Sequence, residues 1–205
     1  MTTKPRLTYF DLSGSRGEEC RLALHLAGID FEDHRLSRAE WAALKPTTPF
    51  GSVPVLELPG KPPLAQSNAI LVLIGRRHGL HPADDFEAAR HEALMAHVED
   101  LRHMLSPTLR IKDEDQKRAV RQELASGYLP AWAAATENQL GEGPFVAGST
   151  LQVVDLKLYM VVRWIATGTI DHIPASVFDA YPKLQRLYQA VPAHEGVRAW
   201  NARAT

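Results

Sequence analysis

The sequence predicts a small α/β domain followed by an all-helical domain, and three observations carry that prediction. From Arg6 to Gly79, short extended runs alternate with helical ones, whereas after Asp85 apolar residues recur almost entirely at helical spacing. The segment between them, Leu80-His81-Pro82-Ala83-Asp84-Asp85, has the composition of a linker. The chain has 205 residues, 45% of them hydrophobic and 23% charged, an ordinary globular mixture with ample material for a core, and its length allows one large or two small domains. The expected domains are residues 1–80 and 87–205.

Arg6–Phe10 is short and apolar enough for a first strand, and Asp11–Ser15 is a turn by composition. Glu18–Ala27 reads as a helix, with Leu22 and Leu26 four apart and Gly28 placed as its C′ residue. Phe31–Leu36 follows as a strand, and a helix between two nearby strands predicts a right-handed parallel crossover. After a loop or short helix, Val53–Leu58 is a third strand, turning at Pro59–Pro62 into a short fourth, Pro63–Ala65. Ser67 opens a helix through about Ile74, which Gly75 or Gly79 can end. Mixed pairing among so few strands is an α/β layout of the thioredoxin kind. Beyond the linker, Leu94, Val98, Leu101 and Leu105 recur at offsets of four, seven and eleven, one helical stripe. Lys112–Leu124 is a charged helix and Pro130–Leu140 an Ala-rich one. Val153–Ile165 is apolar on nearly every side, as the central helix of a bundle must be. Leu184, Leu187, Tyr188 and Val191 are amphipathic, with Pro182 suited to the first turn, and Val197 and Trp200 belong to a short terminal piece.

Composition narrows function. Lys and Arg total 23 against 24 Asp and Glu, a formal net charge of −1, which argues against a nucleic-acid partner. Cys20 is the only cysteine, so a disulfide framework, a multi-thiolate metal site and a Cys-x-x-Cys exchange site are excluded. His78 and His81 have no acidic or thiol partner in register, and no metal is expected. The opening Met1–Arg6 lacks the apolar stretch of a secretory signal, and the longest apolar run, Ala69–Ile74, is too short for a bilayer. The expectation is a cytosolic protein without a membrane partner.

Several residues sit where chemistry is possible. Tyr9 falls at the C-terminal end of the first strand, the edge at which open α/β sheets bind ligands; there its phenol can donate to an anion, or simply pack. Pro54 has no ladder donor, which suits an edge, a bulge or a cis bond. A cis bond would turn the Val53 backbone outward to pair with an extended peptide. Gln66-Ser67 precedes a helix, where Ser67 serves as N-cap or, with the free N–H groups of that turn, holds a carboxylate. Arg16, Trp41 and Lys45 form a further set for an acidic peptide-like ligand, each alone also readable as a surface side chain. Ser13 and Ser15 are turn residues that could activate a thiol in place of Tyr9.

These stretches resemble the cytosolic glutathione S-transferases of the tyrosine type, nearest to the sigma class, which includes glutathione-dependent prostaglandin D synthases. The resemblance rests on Leu7-Thr8-Tyr9-Phe10, Ser15-Arg16-Gly17-Glu18, Glu32-Asp33-His34-Arg35, Lys45-Pro46 through Ser52-Val53-Pro54-Val55-Leu56, and Gln66-Ser67-Asn68-Ala69-Ile70. Val98-Glu99-Asp100-Leu101-Arg102 and Phe145–Gly148 to Asp155 extend it. It implies that Tyr9 hydrogen-bonds the glutathione sulfur, with Arg16 beside it adding positive potential. Val53, before Pro54, would pair with the cysteinyl backbone, with Ser52 and Pro54 beside it in the glutathione site; Gln66 and Ser67 would hold the γ-glutamyl end, and Trp41 and Lys45 the glycyl end. Asp100 would reach across a homodimer to the partner's γ-glutamyl amine. Leu12, Ser13, Met104 and Trp164 are the expected apolar wall for a small hydrophobic electrophile.

Two departures stand out. The Asp11–Ser15 loop is one residue longer than the sigma pattern, and Gln152 replaces the Ser or Thr usual three residues before Asp155. The implied activity is conjugation of glutathione to that electrophile. Isomerase or peroxidase chemistry, or a non-catalytic carrier of glutathione or an apolar ligand, would use the same scaffold.

Overall fold

The computed structural model describes residues 4–203. Met1–Thr3 of the opening segment, and the outermost residues of the two expected domains, lie outside that range. β1 (Arg6–Phe10), α1 (Arg16–Leu26) and β2 (Glu32–Leu36) form the expected crossover, with β1 and β2 parallel. β3 (Val55–Glu57) runs antiparallel to β1, and β4 (Leu64–Ala65) antiparallel to β3. The resulting order β2-β1-β3-β4 places β1 in the interior of the sheet, with Tyr9 near its C-terminal end.

Local chemistry sets the boundaries. β3 starts two residues later than the sequence suggests because Pro54 offers no N–H to the ladder; the Val53–Pro54 bond is cis. The loop after β2 contains α2 (Arg38–Leu44), nucleated by a capping box in which Ser37 Oγ accepts the Glu40 N–H at 3.2 Å and Glu40 Oε2 accepts the Ser37 N–H at 2.8 Å. α3 (Ser67–His78) runs past Gly75 to Gly79, whose φ of +71° is the left-handed stop. Gly75 instead permits a close approach, since a Cβ there would lie 2.9 Å from that of His81. Ser67 is not the N-cap: Gln66, with φ +75°, takes that place and makes Ser67 the first helical residue.

Beyond α3 the described chain holds the helices α4 (Asp85–Leu105), α5 (Glu114–Ser126), α6 (Tyr128–Glu137), α7 (Val153–Ala166), α8 (Pro182–Ala193) and α9 (Glu195–Asn201), joined by loops. α4 begins inside the expected linker because the Asp84 carboxylate caps the N–H groups of Phe86 and Glu87. Its stripe Leu94, Val98, Leu101 and Leu105 is buried. α7 is the central helix, with eleven of its fourteen residues buried. No helix among the described residues is long and apolar enough to cross a membrane.

Two of the buried α7 residues are acidic or basic, and burial pushes the Asp155 carboxyl up to about 7. Asp155 secures the helix start, accepting the backbone N–H groups of Gln152 and Val146 at 2.8 Å each. Gln152 Oε1 is buried without a well-formed hydrogen bond, so the Asp155 carboxylate carries this end of the helix. Asp155→Ala leaves both donors unsatisfied, so it is expected to lower the unfolding free energy by about 2–4 kcal/mol in urea titration. A loss under about 1 kcal/mol would show that water replaces the carboxylate there. The second of the two, Lys157, belongs to the site.

Candidate active site

Tyr9 is 8% exposed, and its side chain packs closely on Gly17 in the first turn of α1. Glycine at 17 makes this possible, because a Cβ there would come within 2.1 Å of Tyr9 Cδ1. Burial pushes the Tyr9 phenol above its ordinary value, against the opposing influence of Ser15, Arg16 and Arg102, so at neutral pH it is a protonated donor. Ser15 lies beside the phenol, yet its Oγ is buried without a well-formed hydrogen bond. Two hydroxyls side by side at a buried edge, neither in a strong hydrogen bond, can both turn to a polar ligand atom.

Register explains how distant residues converge on this edge. Thr8 pairs with Val55, and Val55 with Ala65. Continuing both ladders by one residue sets Tyr9, Pro54 and Gln66 abreast across β1, β3 and β4. Pro54 is buried, Ser52 and Val53 are half-buried, and Gln66 is exposed. Half-buried Trp41 packs edge-on to Phe10 at 5.7 Å, and Phe10 packs edge-on to Tyr9 at 5.6 Å. Lys45 closes α2 against Gly51, where a Cβ would sit 3.8 Å from Lys45 Cε.

Beneath this edge lies a charge network that sequence reasoning misses. Arg16 Nε and Nη2 donate to Glu99 Oε2 of α4 at 2.9 and 2.6 Å, so Arg16 lies near Tyr9 but is tied to the helical domain. Arg102 donates to Glu99 Oε1 at 2.8 Å and to Glu19 of α1. Lys157 Nζ donates to Glu99 Oε1 at 2.5 Å, to Glu19 Oε2 at 3.3 Å and to Ser67 Oγ at 3.3 Å. Two carboxylates thus face the three cations Arg16, Arg102 and Lys157, leaving one positive charge over. Burial would raise the Glu99 carboxyl, but Lys157, Arg102 and Arg16 overcome it and hold the group well below the usual carboxylate range. The available signal is one lysine within the apolar run of α7, since a fully buried lysine needs a charged partner.

A cavity of about 580 Å³ opens between the Asp11–Ser15 turn, the end of α4 and the end of α7. Tyr9, Leu12, Ser13, Arg16 and Trp164 line it. Met104 does not line it and is 45% exposed; it precedes the buried Leu105 and so lies about 100° around α4 from the inward stripe. Met160 of α7 supplies the sulfur side chain instead. Asp100 is exposed on α4, where its charge acts on Tyr128, and a single chain does not bring it to this cluster. Cys20 is fully buried, and burial pushes its thiol up, which removes it as a nucleophile. Among the described residues, Glu114, Asp171 and His172 come within 4.8 Å of one another, a spacing suited to a metal. The two carboxylates, however, already pair with Lys117 and Arg121.

Comparisons with known proteins bear on the family and the fold. Residues 5–76 match the glutathione S-transferase N-terminal domain, and residues 99–204 match its C-terminal domain. Hematopoietic prostaglandin D synthase of Gallus gallus is 33% identical over 196 residues, covering 95% of this chain and 94% of that protein. The crystal structure of the glutathione S-transferase from Ascaris lumbricoides superposes with a TM-score of 0.84 at 31% identity, covering 98% of this chain and 97% of that one. A Fasciola hepatica sigma class enzyme superposes at 0.83 with 26% identity, covering 98% and 97%. With both domain families matched in order and a relative similar over almost its whole length, the chain belongs to the glutathione S-transferase family.

Proposed function

We propose that this protein, as a cytoplasmic homodimer, transfers glutathione to a small hydrophobic electrophile, with Tyr9 stabilising the thiolate. The observation that carries the reading is the buried, protonated Tyr9 phenol on the cavity wall, abreast of Pro54 and Gln66 and beside the Ser15 hydroxyl. The Val53 backbone next to Ser52 and Pro54 pairs with the cysteinyl residue, Gln66 and Ser67 hold the γ-glutamyl end, and Trp41 and Lys45 the glycyl end. Asp100, exposed in the single chain, serves the partner's site. Residues 1–80 form the glutathione half and residues 87–205 the electrophile wall. Arg16 adds positive potential through the network rather than by direct contact.

With a chlorodinitrobenzene the reaction is a substitution. The sulfur–carbon bond forms, the carbon–chlorine bond breaks, chloride leaves, and the thiol proton goes to solvent. The test is a calorimetric titration with glutathione alongside that assay. Saturable binding with glutathione-dependent chloride release is expected, and absence of binding together with absence of turnover defeats the reading. The similarity to a prostaglandin D synthase favours a second reading, glutathione-dependent isomerisation. It uses the same thiolate but returns the thiol at the end of each cycle, so measuring glutathione consumption separates the two.

A further inference from the structure

The cavity next to Tyr9 is lined by three arginines and by no acidic residue. Two of them, Arg16 and Arg102, are held by Glu99 and Glu19. The third, Arg163 in the last turn of α7, makes neither an ion pair nor a side-chain hydrogen bond among the described residues. The buried arginines elsewhere are paired, Arg21 with Asp33 and Glu18, and Arg121 with Asp171. Arg163 is half-buried in a wall shared with Leu12, Leu109, Met160 and Trp164. A cation in such surroundings loses part of its hydration and gains no carboxylate in return.

The Asp11–Ser15 loop meets this guanidinium. Gly14, at φ +90°, lies so close that a Cβ there would stand 3.1 Å from Arg163 Nη1. Glycine therefore serves both the left-handed backbone and the room for the planar group. The loop thus places Arg163 against the same wall that carries Tyr9, a role that thiolate stabilisation does not need. Favourable interaction with the negative end of α7 is the ordinary use of a cation at this position, but it does not explain a guanidinium on the cavity wall.

We propose that Arg163 is an anion subsite of this cavity and that the preferred electrophile carries a carboxylate on its apolar body. The assignment rests on the transferase reading for its chemistry, whereas the subsite itself can be read by binding alone. Guanidinium suits the task, because it is weakly hydrated and matches a carboxylate with two parallel N–H donors. The hydroxyls of Ser13 and Thr167 on the same lining are neutral and leave the positive potential uncancelled.

The test uses a chloronitrobenzoate and its methyl ester, with each enzymatic rate divided by the uncatalysed rate with glutathione. The wild type is expected to favour the acid by about tenfold, and Arg163→Gln to lose about that factor on the acid while changing the ester less than about twofold. Arg163→Lys restores part of the preference, since it keeps the charge but not the paired geometry. A purely helix-stabilising Arg163 would shift the melting temperature and leave the acid-to-ester ratio alone; an unchanged ratio overturns the proposal. If neither compound is turned over, calorimetric titration of the acid decides the subsite by itself, and the transferase reading is judged by glutathione binding and the chlorodinitrobenzene assay. Tighter binding to wild type than to Arg163→Gln supports it; equal or absent binding overturns it.

Discussion

Tyr9→Phe is expected to raise the thiol pKa of bound glutathione by about two units and to lower kcat/KM about 10- to 100-fold at neutral pH. A free thiol titrates near about 8.5 and is only a few per cent ionised at pH 7. Lowering that value by about two units takes about 2.7 kcal/mol of preference for the anion. One hydrogen bond to a charged group supplies about 1.5–3 kcal/mol, so the phenol alone is of sufficient size. Because burial lifts the Tyr9 phenol above its ordinary value, it stays a donor throughout the working pH range. Phenylalanine keeps the packing on Gly17, so the fold should be nearly unaffected. The sign with pH follows. The wild-type rate rises through the lowered thiol pKa and levels off, whereas the variant rises only near about 8.5. The deficit is therefore greatest in mild acid and shrinks at alkaline pH. Ultraviolet absorbance of the thiolate and the kcat/KM profile measure this together; coinciding profiles for the two proteins would remove Tyr9 from the chemistry.

Glu19→Gln is expected to cost about 3–5 kcal/mol of stability, because it leaves buried cations without compensation. Glu19 is fully buried and bridges Arg102 and Lys157, so its neutralisation leaves Glu99 alone against Arg16, Arg102 and Lys157. Adding Lys157→Met removes one excess charge, and the double variant should regain at least about half of the loss. Urea denaturation of both single variants and the double one measures the coupling, and strictly additive losses would show that the groups act separately. The same network predicts the acid limb. Glu99 has its folded pKa depressed below the unfolded value of about 4.3, so its contribution is complete above that pH and is lost progressively as pH falls below it. Unfolding free energy should therefore begin to drop near about pH 4 in the wild type, and this drop should be smaller in Glu99→Gln.

Elements whose cause is local are legible in the amino-acid sequence. The β1–α1–β2 crossover, the Gly28 stop, Pro182 in the first turn of α8 and the buried stripe of α4 all follow from dihedral preference or a 3.6-residue period. The residues aligned across the sheet edge, Tyr9, Pro54 and Gln66, are legible in the same way, as strand ends and helix starts. Ser67 reads as the cap, wrongly, because an N-cap serine and an N1 serine differ only in the backbone of the residue before them. Met104 reads as a cavity residue, also wrongly, because an apolar side chain one position from a stripe carries no label for the face it takes.

What lies outside the sequence's reach is the pairing of charges across helices. Glu19 meets Arg102 across 83 positions and Lys157 across 138. The sequence by itself determined which segments are strands and helices, and where the sheet presents a phenol. Only tertiary structure decided that α1, α4 and α7 bury their charges against one another and that Arg163 is left facing an open cavity. The reason is range. Backbone preferences act within a turn or two of chain, whereas the partner of a buried charge is chosen by how whole helices pack.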